Sequence, residues 1–251
     1  MNIRSQIPNL LTLGNLVCGA IAALHISQSY DTTLAVFLIF LAAFFDLLDG
    51  AIARALGVSG DLGKQLDSLA DVVSFGVVPA IIIYKMLEHA LPYDIQWLKY
   101  LAFINAAGAA MRLARFNIST DQTHDFKGMP SPANGIFWAS ILAVYAWNNT
   151  HQGAGTSPIL ALPLSFTLTM AIVTSWLMVS NIRMFSFKFK SGGISANIIP
   201  YLFIVLTLII AAATFFYTGN ILITIPLSII LYIVLSIFYH ILGSDKKAIN
   251  S

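Results

Sequence analysis

Asp46, Asp49, Asp61, Asp67 and Asp71 stand close together in a chain that otherwise carries little charge. Clustered carboxylates without histidine or cysteine are hard oxygen donors, suited to Mg²⁺, Mn²⁺ or Ca²⁺ before zinc or copper. An α-helix turns by about 100° per residue, so Asp46, Asp49, Gly50, Ala53 and Arg54 share one helical face. Gly63, Asp67 and Asp71 follow at intervals of four, and Ser74 continues that stripe. The link between them, ALGVSGDLG, holds the glycines needed to turn the chain back, so the two acidic faces can meet. Asp61, inside the link, reads as an ordinary solvated charge. Four facing carboxylates repel one another unless protons or cations lie between them. Gly50 and Ala53 leave room for a ligand beside the acids, and Arg54 suits a phosphate. Metal ions, small residues and an arginine together point to displacement at the phosphorus of a phosphate or pyrophosphate.

The elements that must position these residues are membrane helices. Of 251 residues, 58% are hydrophobic and 10% charged, against roughly 25% charged in soluble domains. One cysteine, Cys18, excludes a disulfide within the chain, and five scattered histidines without an H-x-x-x-H pair exclude a zinc helix. Segments near 11–27, 33–55, 67–87, 96–114, 134–148, 158–181, 198–217 and 219–241 approach the length of about 20 residues that spans a bilayer. The first reads as a retained helix, not a removable leader. The apolar run from Leu34 to Phe45 rises about 18 Å, which puts Asp46 near one edge of the hydrocarbon. Ionisable groups so placed are costly and mark functional sites. With both termini in the cytoplasm, Arg4, Arg54, Lys64, Arg112, Arg115, Lys127, Arg183, Lys188, Lys190, Lys246 and Lys247 all fall inside, and only Lys85 and Lys99 outside. That bias requires an even number of spans and sets the acids on the cytoplasmic side. No repeat or soluble segment stands out, so residues 1–251 read as a single membrane domain, with no nucleic-acid partner.

The pattern Asp46-x-x-Asp49-Gly50-x-x-Ala53-Arg54, eight residues, Gly63-x-x-x-Asp67-x-x-x-Asp71 resembles the signature of the CDP-alcohol phosphatidyltransferase family at every fixed position. The resemblance implies an all-α integral membrane enzyme with about eight transmembrane helices. Such an enzyme moves a substituted phosphate from a CDP-linked donor to an alcohol and releases CMP. IPNLLTLGNLVCG (7–19), RLARFNI (112–118), FKGMPSPANG (126–135) and LMVSNIRMFSFK (177–188) are similar to the membrane-type phosphatidylserine synthases, although Arg183-Met184 departs from that pattern. This similarity covers about 6–190 and leaves the C-terminal helices, about 198–241, without a recognised motif.

The resemblance implies CDP-diacylglycerol and L-serine as substrates, held at the membrane lipid by a homodimer. It makes Asp46, Asp49, Asp67 and Asp71 ligands of a divalent cation, with two ions expected. Asp71 becomes the general base toward the serine hydroxyl, a metal ligand, or both. Asp49, Gly50, Ala53, Arg54 and Gly63 would form the CDP pocket, and Arg112, Arg115 and Lys127 the acceptor pocket, with Lys188 next in line. Glycerol 3-phosphate or inositol phosphate would also call for cations there, so those acceptors stay open. A cation transporter is the rival from another class, disfavoured because the acids gather at one membrane edge instead of lining a path across. Asn9, Thr12 and Asn15 fit either an approach to the nucleotide or polar helix packing.

Overall fold

Apolar runs uninterrupted by charge become helices almost throughout the computed structural model, which describes residues 3–28, 32–58, 60–118, 126–151, 162–185 and 197–249. Helix α1 (Ile3–Gln28) is followed by α2 (Thr33–Ala55). Gly57 ends α2 because it takes the left-handed conformation at φ +63°. The Gly57 N–H then bonds the Arg54 carbonyl and the Val58 N–H bonds that of Ala53, the paired closure that glycine permits. Helix α3 (Asp61–Val72) starts earlier than its apolar pattern suggests. Asp61 opens its first turn instead of lying in the link, where a carboxylate complements the helix dipole.

Helix α3 continues through a π-helical turn (Val73–Val77) into α4 (Val78–Ala90), forming one rod. Pro79 accounts for the turn: it lacks an N–H, and its ring crowds the carbonyl four residues back, that of Phe75. A 3₁₀ segment (Tyr93–Phe103) leads into α5 (Ile104–Ile118), then α6 (Ser131–His151) and α7 (Leu164–Val179). Helix α8 (Ile198–Thr218) and, after a short 3₁₀ turn, α9 (Thr224–Ile249) complete the described chain.

Two short strands, β1 (Phe126–Lys127) and β2 (Arg183–Met184), pair antiparallel and tie the loop before α6 to the loop after α7. Gly128 leaves this ladder at φ +77°, with its N–H on the Ile182 carbonyl. Helices α4 and α6 supply the centre of the core, where Ile82, Ile83, Met86 and Leu87 meet Phe137, Trp138 and Leu142. Small residues bring other helices close. A Cβ on Gly19 would lie 2.9 Å from Ser74 Cα, and one on Gly76 2.9 Å from Ala109 Cβ.

Among the described residues, five helical stretches are long and apolar enough to cross a membrane: Gln6–Gln28, Thr33–Ala55, Asp61–Ala90, Ile198–Thr218 and Ile221–Ile241. Helices α5, α6 and α7 occupy the places of the other three expected segments but are shorter or more polar. Large apolar side chains such as Leu10, Phe37, Leu47, Leu208 and Phe216 face outward, as the surface of a protein solvated by lipid requires. The chain is an all-α membrane protein.

Candidate active site

Helix α1 bridges the two acidic stripes. Thr12 and Asn15 lie three residues apart and therefore on one face. The Thr12 hydroxyl donates to Asp49 Oδ2 of α2 at 2.6 Å, and Asn15 Nδ2 donates to Asp71 Oδ1 of α3 at 3.3 Å. Ser74 Oγ, in the π turn, donates to the Asn15 carbonyl at 3.1 Å. All five residues are buried. Polar packing thus accounts for Thr12 and Asn15, but the packing is against the acids themselves.

Asp46 and Asp67 complete the group and are partly exposed. One oxygen from each of Asp46, Asp49 and Asp67 lies within 4.8 Å of the others. Asp71 is buried, accepts from Asn15 and lies within electrostatic reach of Asp46 and Asp67. So the expected set of four is gathered, three close enough to share an ion and the fourth held by Asn15. Among the described residues, no lysine or arginine is ion-paired with any of them; the ion pairs there belong to Glu88. A cluster of oxygen donors without a paired cation fits a hard divalent ion. Asp61 is exposed and lies outside this group.

A cavity of about 730 Å³ opens beside the acids, a size suited to a nucleotide-bearing ligand. Asp49, Gly50, Ala53, Arg54 and Gly63, the expected CDP residues, all line it. Asn9, Thr12 and Lys64 line it too. Gly50 has a specific steric reason: a Cβ there would come within 3.3 Å of Arg54 Nη1, crowding the guanidinium. At Gly63 a Cβ would lie 3.3 Å from Asn9 Oδ1, close enough that the Asn9 side chain would have to shift by a few tenths of an ångström. Lys64 is held by the Asn117 carbonyl at 3.0 Å, with its ammonium 5.8 Å from the Phe116 ring centre.

The expected acceptor residues separate. Arg112 Nη1 donates to Ser131 Oγ at 2.8 Å, its Nε is buried without a partner, and its charge is within electrostatic reach of Asp71. Arg115 instead donates Nη1 to the Val179 carbonyl at 2.9 Å, at an exposed position at the end of α7. Lys127 is exposed on β1, opposite Arg183. Lys188 lies outside the described residues. Ser131 was not singled out by sequence, although its loop motif was. The β1–β2 ladder and Gly128 deliver it to Arg112, a contact between residues far apart in sequence.

The CDP-alcohol phosphatidyltransferase family model matches residues 5–242 of the chain. The CDP-diacylglycerol–serine O-phosphatidyltransferase of Bacillus subtilis is 33% identical over 184 residues, covering 73% of this chain and 92% of that protein. The enzyme of the same name from Helicobacter pylori is 33% identical over 204 residues, 80% of this chain and 81% of that protein. Its namesake from Methanocaldococcus jannaschii is 38% identical over 130 residues, 52% and 57% of the two chains.

Proposed function

Because this chain belongs to the CDP-alcohol phosphatidyltransferase family, we infer that it is a phosphatidylserine synthase. It transfers the phosphatidyl group of CDP-diacylglycerol to L-serine and releases CMP. The observation that carries this reading is the junction of three parts: a metal-suited acidic group, a nucleotide-sized cavity on one side of it, and the partly unpartnered Arg112 within reach of Asp71. The names and coverage of the relatives select serine among the possible alcohols.

Asp46, Asp49 and Asp67 would hold the divalent cation, Mg²⁺ or Mn²⁺, and a second ion would draw in Asp71. Bound there, the metal supplies charge stabilisation to the phosphoryl oxygens and the departing CMP. Gly50, Ala53, Arg54 and Gly63 receive the CDP moiety beside Asp49, while the acyl chains stay in the bilayer. Arg112, held by Ser131, grips the serine carboxylate with its remaining donors. Asp71 takes the serine hydroxyl proton as that oxygen bonds to the phosphatidyl phosphorus and the bond from phosphorus to CMP breaks. Arg115, bonded to the α7 terminus, and Lys127, on β1, serve the acceptor from the periphery.

The charge bias supports a site and termini facing the cytoplasm. The two exceptions, Lys85 and Lys99, are both bonded to Glu88, at 3.1 and 2.7 Å, so they weigh little against that orientation. The chain acts as one membrane domain, its core about 6–190, and as the homodimer its resemblance implies. The test is CMP release by the purified protein from CDP-diacylglycerol with L-serine, glycerol 3-phosphate or inositol phosphate as acceptor. Release is expected with serine. Turnover of glycerol 3-phosphate with serine ignored would overturn the acceptor, and no release with any alcohol would return the transporter. For orientation, a cysteine at position 61, after replacement of Cys18, is expected to resist external labelling in sealed cells.

A further inference from the structure

In a regular helix the Phe75 carbonyl would accept from the N–H of residue 79, and Pro79 has none. The π turn at Val73–Val77 carries the Val78 N–H to the Val73 carbonyl, and Pro79 withholds from the Phe75 oxygen the donor a regular helix would supply. Asn134 Nδ2, from α6, fills that gap at 3.0 Å. The amide is not free to turn. Asn134 Nδ2 also donates to Asn105 Oδ1 at 2.8 Å, and Asn105 Nδ2 donates back to Asn134 Oδ1 at 3.2 Å. Asn105 Nδ2 lies at hydrogen-bonding distance from Thr174 Oγ1 and Ser175 Oγ as well, at 3.2 and 3.3 Å. All four side chains are buried, so α5, α6 and α7 converge on one backbone carbonyl.

That carbonyl belongs to the turn from which Asp71 is aimed. Ser74, in the same turn, bonds the Asn15 carbonyl, and the Asn15 amide bonds Asp71. One inserted residue rotates the preceding helix relative to the following one by about 100°. Helix α4 is fixed by the core, so the rotation falls on the last turn of α3, which carries Asp71. Gly19 and Gly135 make room for the turn: a Cβ on Gly135 would lie 3.1 Å from Phe75 Cβ.

We propose that Asn134, oriented by Asn105, is a positioning residue that holds the π turn in the register presenting Asp71 to α1 and the acidic group. The proposal rests on the reading that Asp71 acts in the transfer. Paired amides also bind membrane helices together, and the test must separate that role from positioning.

Serine-dependent turnover, CDP binding and melting in detergent are compared for Asn134→Ala, Asn134→Asp and Asn105→Ala. Misplacement of a reacting group by an ångström costs up to about 100-fold, so kcat is expected to fall about 10- to 100-fold in Asn134→Ala. CDP affinity and the KM for CDP-diacylglycerol are expected to stay within about two-fold. Asn134→Asp, the same shape without the amide donor, is expected to fall equally. In an Asp71→Glu background, where the carboxylate is already displaced, Asn134→Ala is expected to cost less than about three-fold, as groups acting through one another are non-additive.

Wild-type kcat in Asn134→Ala overturns the proposal. So does an undiminished loss in the Asp71→Glu background, or a kcat loss matched by losses of CDP binding and melting temperature. If Asn134→Ala fails to fold, Asn105→Ala gives the same comparison at smaller amplitude, since it frees the amide but keeps the donor to Phe75. Asp71→Asn with wild-type turnover would instead remove Asp71 from the reaction, a failure of the functional reading that is visible independently.

Discussion

The rod formed by α3, the π turn and α4 carries acidic charge at both ends, and the two ends treat it oppositely. At one end Asp67 and Asp71 meet Asp46 and Asp49 with no basic side chain ion-paired to them among the described residues. At the other, Glu88 accepts from Lys85 at 3.1 Å, Lys99 at 2.7 Å and the Tyr84 hydroxyl at 3.3 Å. Tyr93, Trp97 and Tyr100 are exposed on the 3₁₀ segment that follows that second end, residues that suit the aromatic belt at a membrane interface. A carboxylate already satisfied by its neighbours has nothing left to offer a ligand. Carboxylates gathered against their mutual repulsion retain that capacity, and the difference separates a candidate site from an anchor.

The comparison breaks most visibly if the uncompensated end proves dispensable. Asp46→Asn, Asp49→Asn, Asp67→Asn and Asp71→Asn are each expected to reduce CMP release by about 100-fold or more, the scale of losing a group that stabilises the transition state. Asp61→Asn, on the same helix but outside the group, is expected to stay within about two-fold, as surface changes usually do. Chelation is expected to stop the wild type, and added Mg²⁺ or Mn²⁺ to restore it. Full turnover in excess chelator would remove the metal from the reaction.

A smaller effect sharpens the boundary of the site. A lost charge-assisted hydrogen bond costs about 1.5–3 kcal/mol, or roughly 10- to 150-fold. Arg112→Ala is therefore expected to lower kcat/KM for serine by that order, with the KM for CDP-diacylglycerol nearly unchanged. Arg115→Ala is expected to do less, because its guanidinium is already bonded to the Val179 carbonyl. Equal losses in the two variants would show that the acceptor pocket extends further toward α7 than the Arg112–Ser131 contact.

The smallest effect belongs to the compensated end. Glu88→Gln is expected to leave turnover within about two-fold and to shift melting by no more than about 5 °C, since partly exposed ion pairs contribute little. Loss of activity there comparable to that of the aspartate variants would erase the distinction between the two ends.

Much of the acidic group was legible in sequence because a helix repeats every 3.6 residues. Spacing alone therefore put Asp46, Asp49, Gly50 and Arg54 on one face and Gly63, Asp67 and Asp71 on another. Composition likewise decided the solvent, because a chain with so few charges cannot cover its apolar surface in water. Glycines in the link established that the two faces could meet. These are local properties, encoded within a turn or two of the residues concerned.

Which face meets which partner is decided elsewhere in the chain. Thr12 and Asn15 could not be assigned to the acids from α1 alone, since their target depends on how closely Gly19 lets α1 approach Ser74. Arg112 and Arg115 look equivalent in RLARFNI, yet three residues of helix separate an arginine on Ser131 from one on the α7 terminus. Nothing local to Pro79 shows that the Phe75 carbonyl, which loses its regular helical donor there, is met by Asn134, 59 residues away from Phe75 in sequence. The sequence by itself determined the membrane helices, their acidic stripes and the chemistry those stripes invite. Only the tertiary structure decided how the stripes are rotated against one another, because that rotation is fixed by small-residue contacts and buried amides between helices remote in sequence.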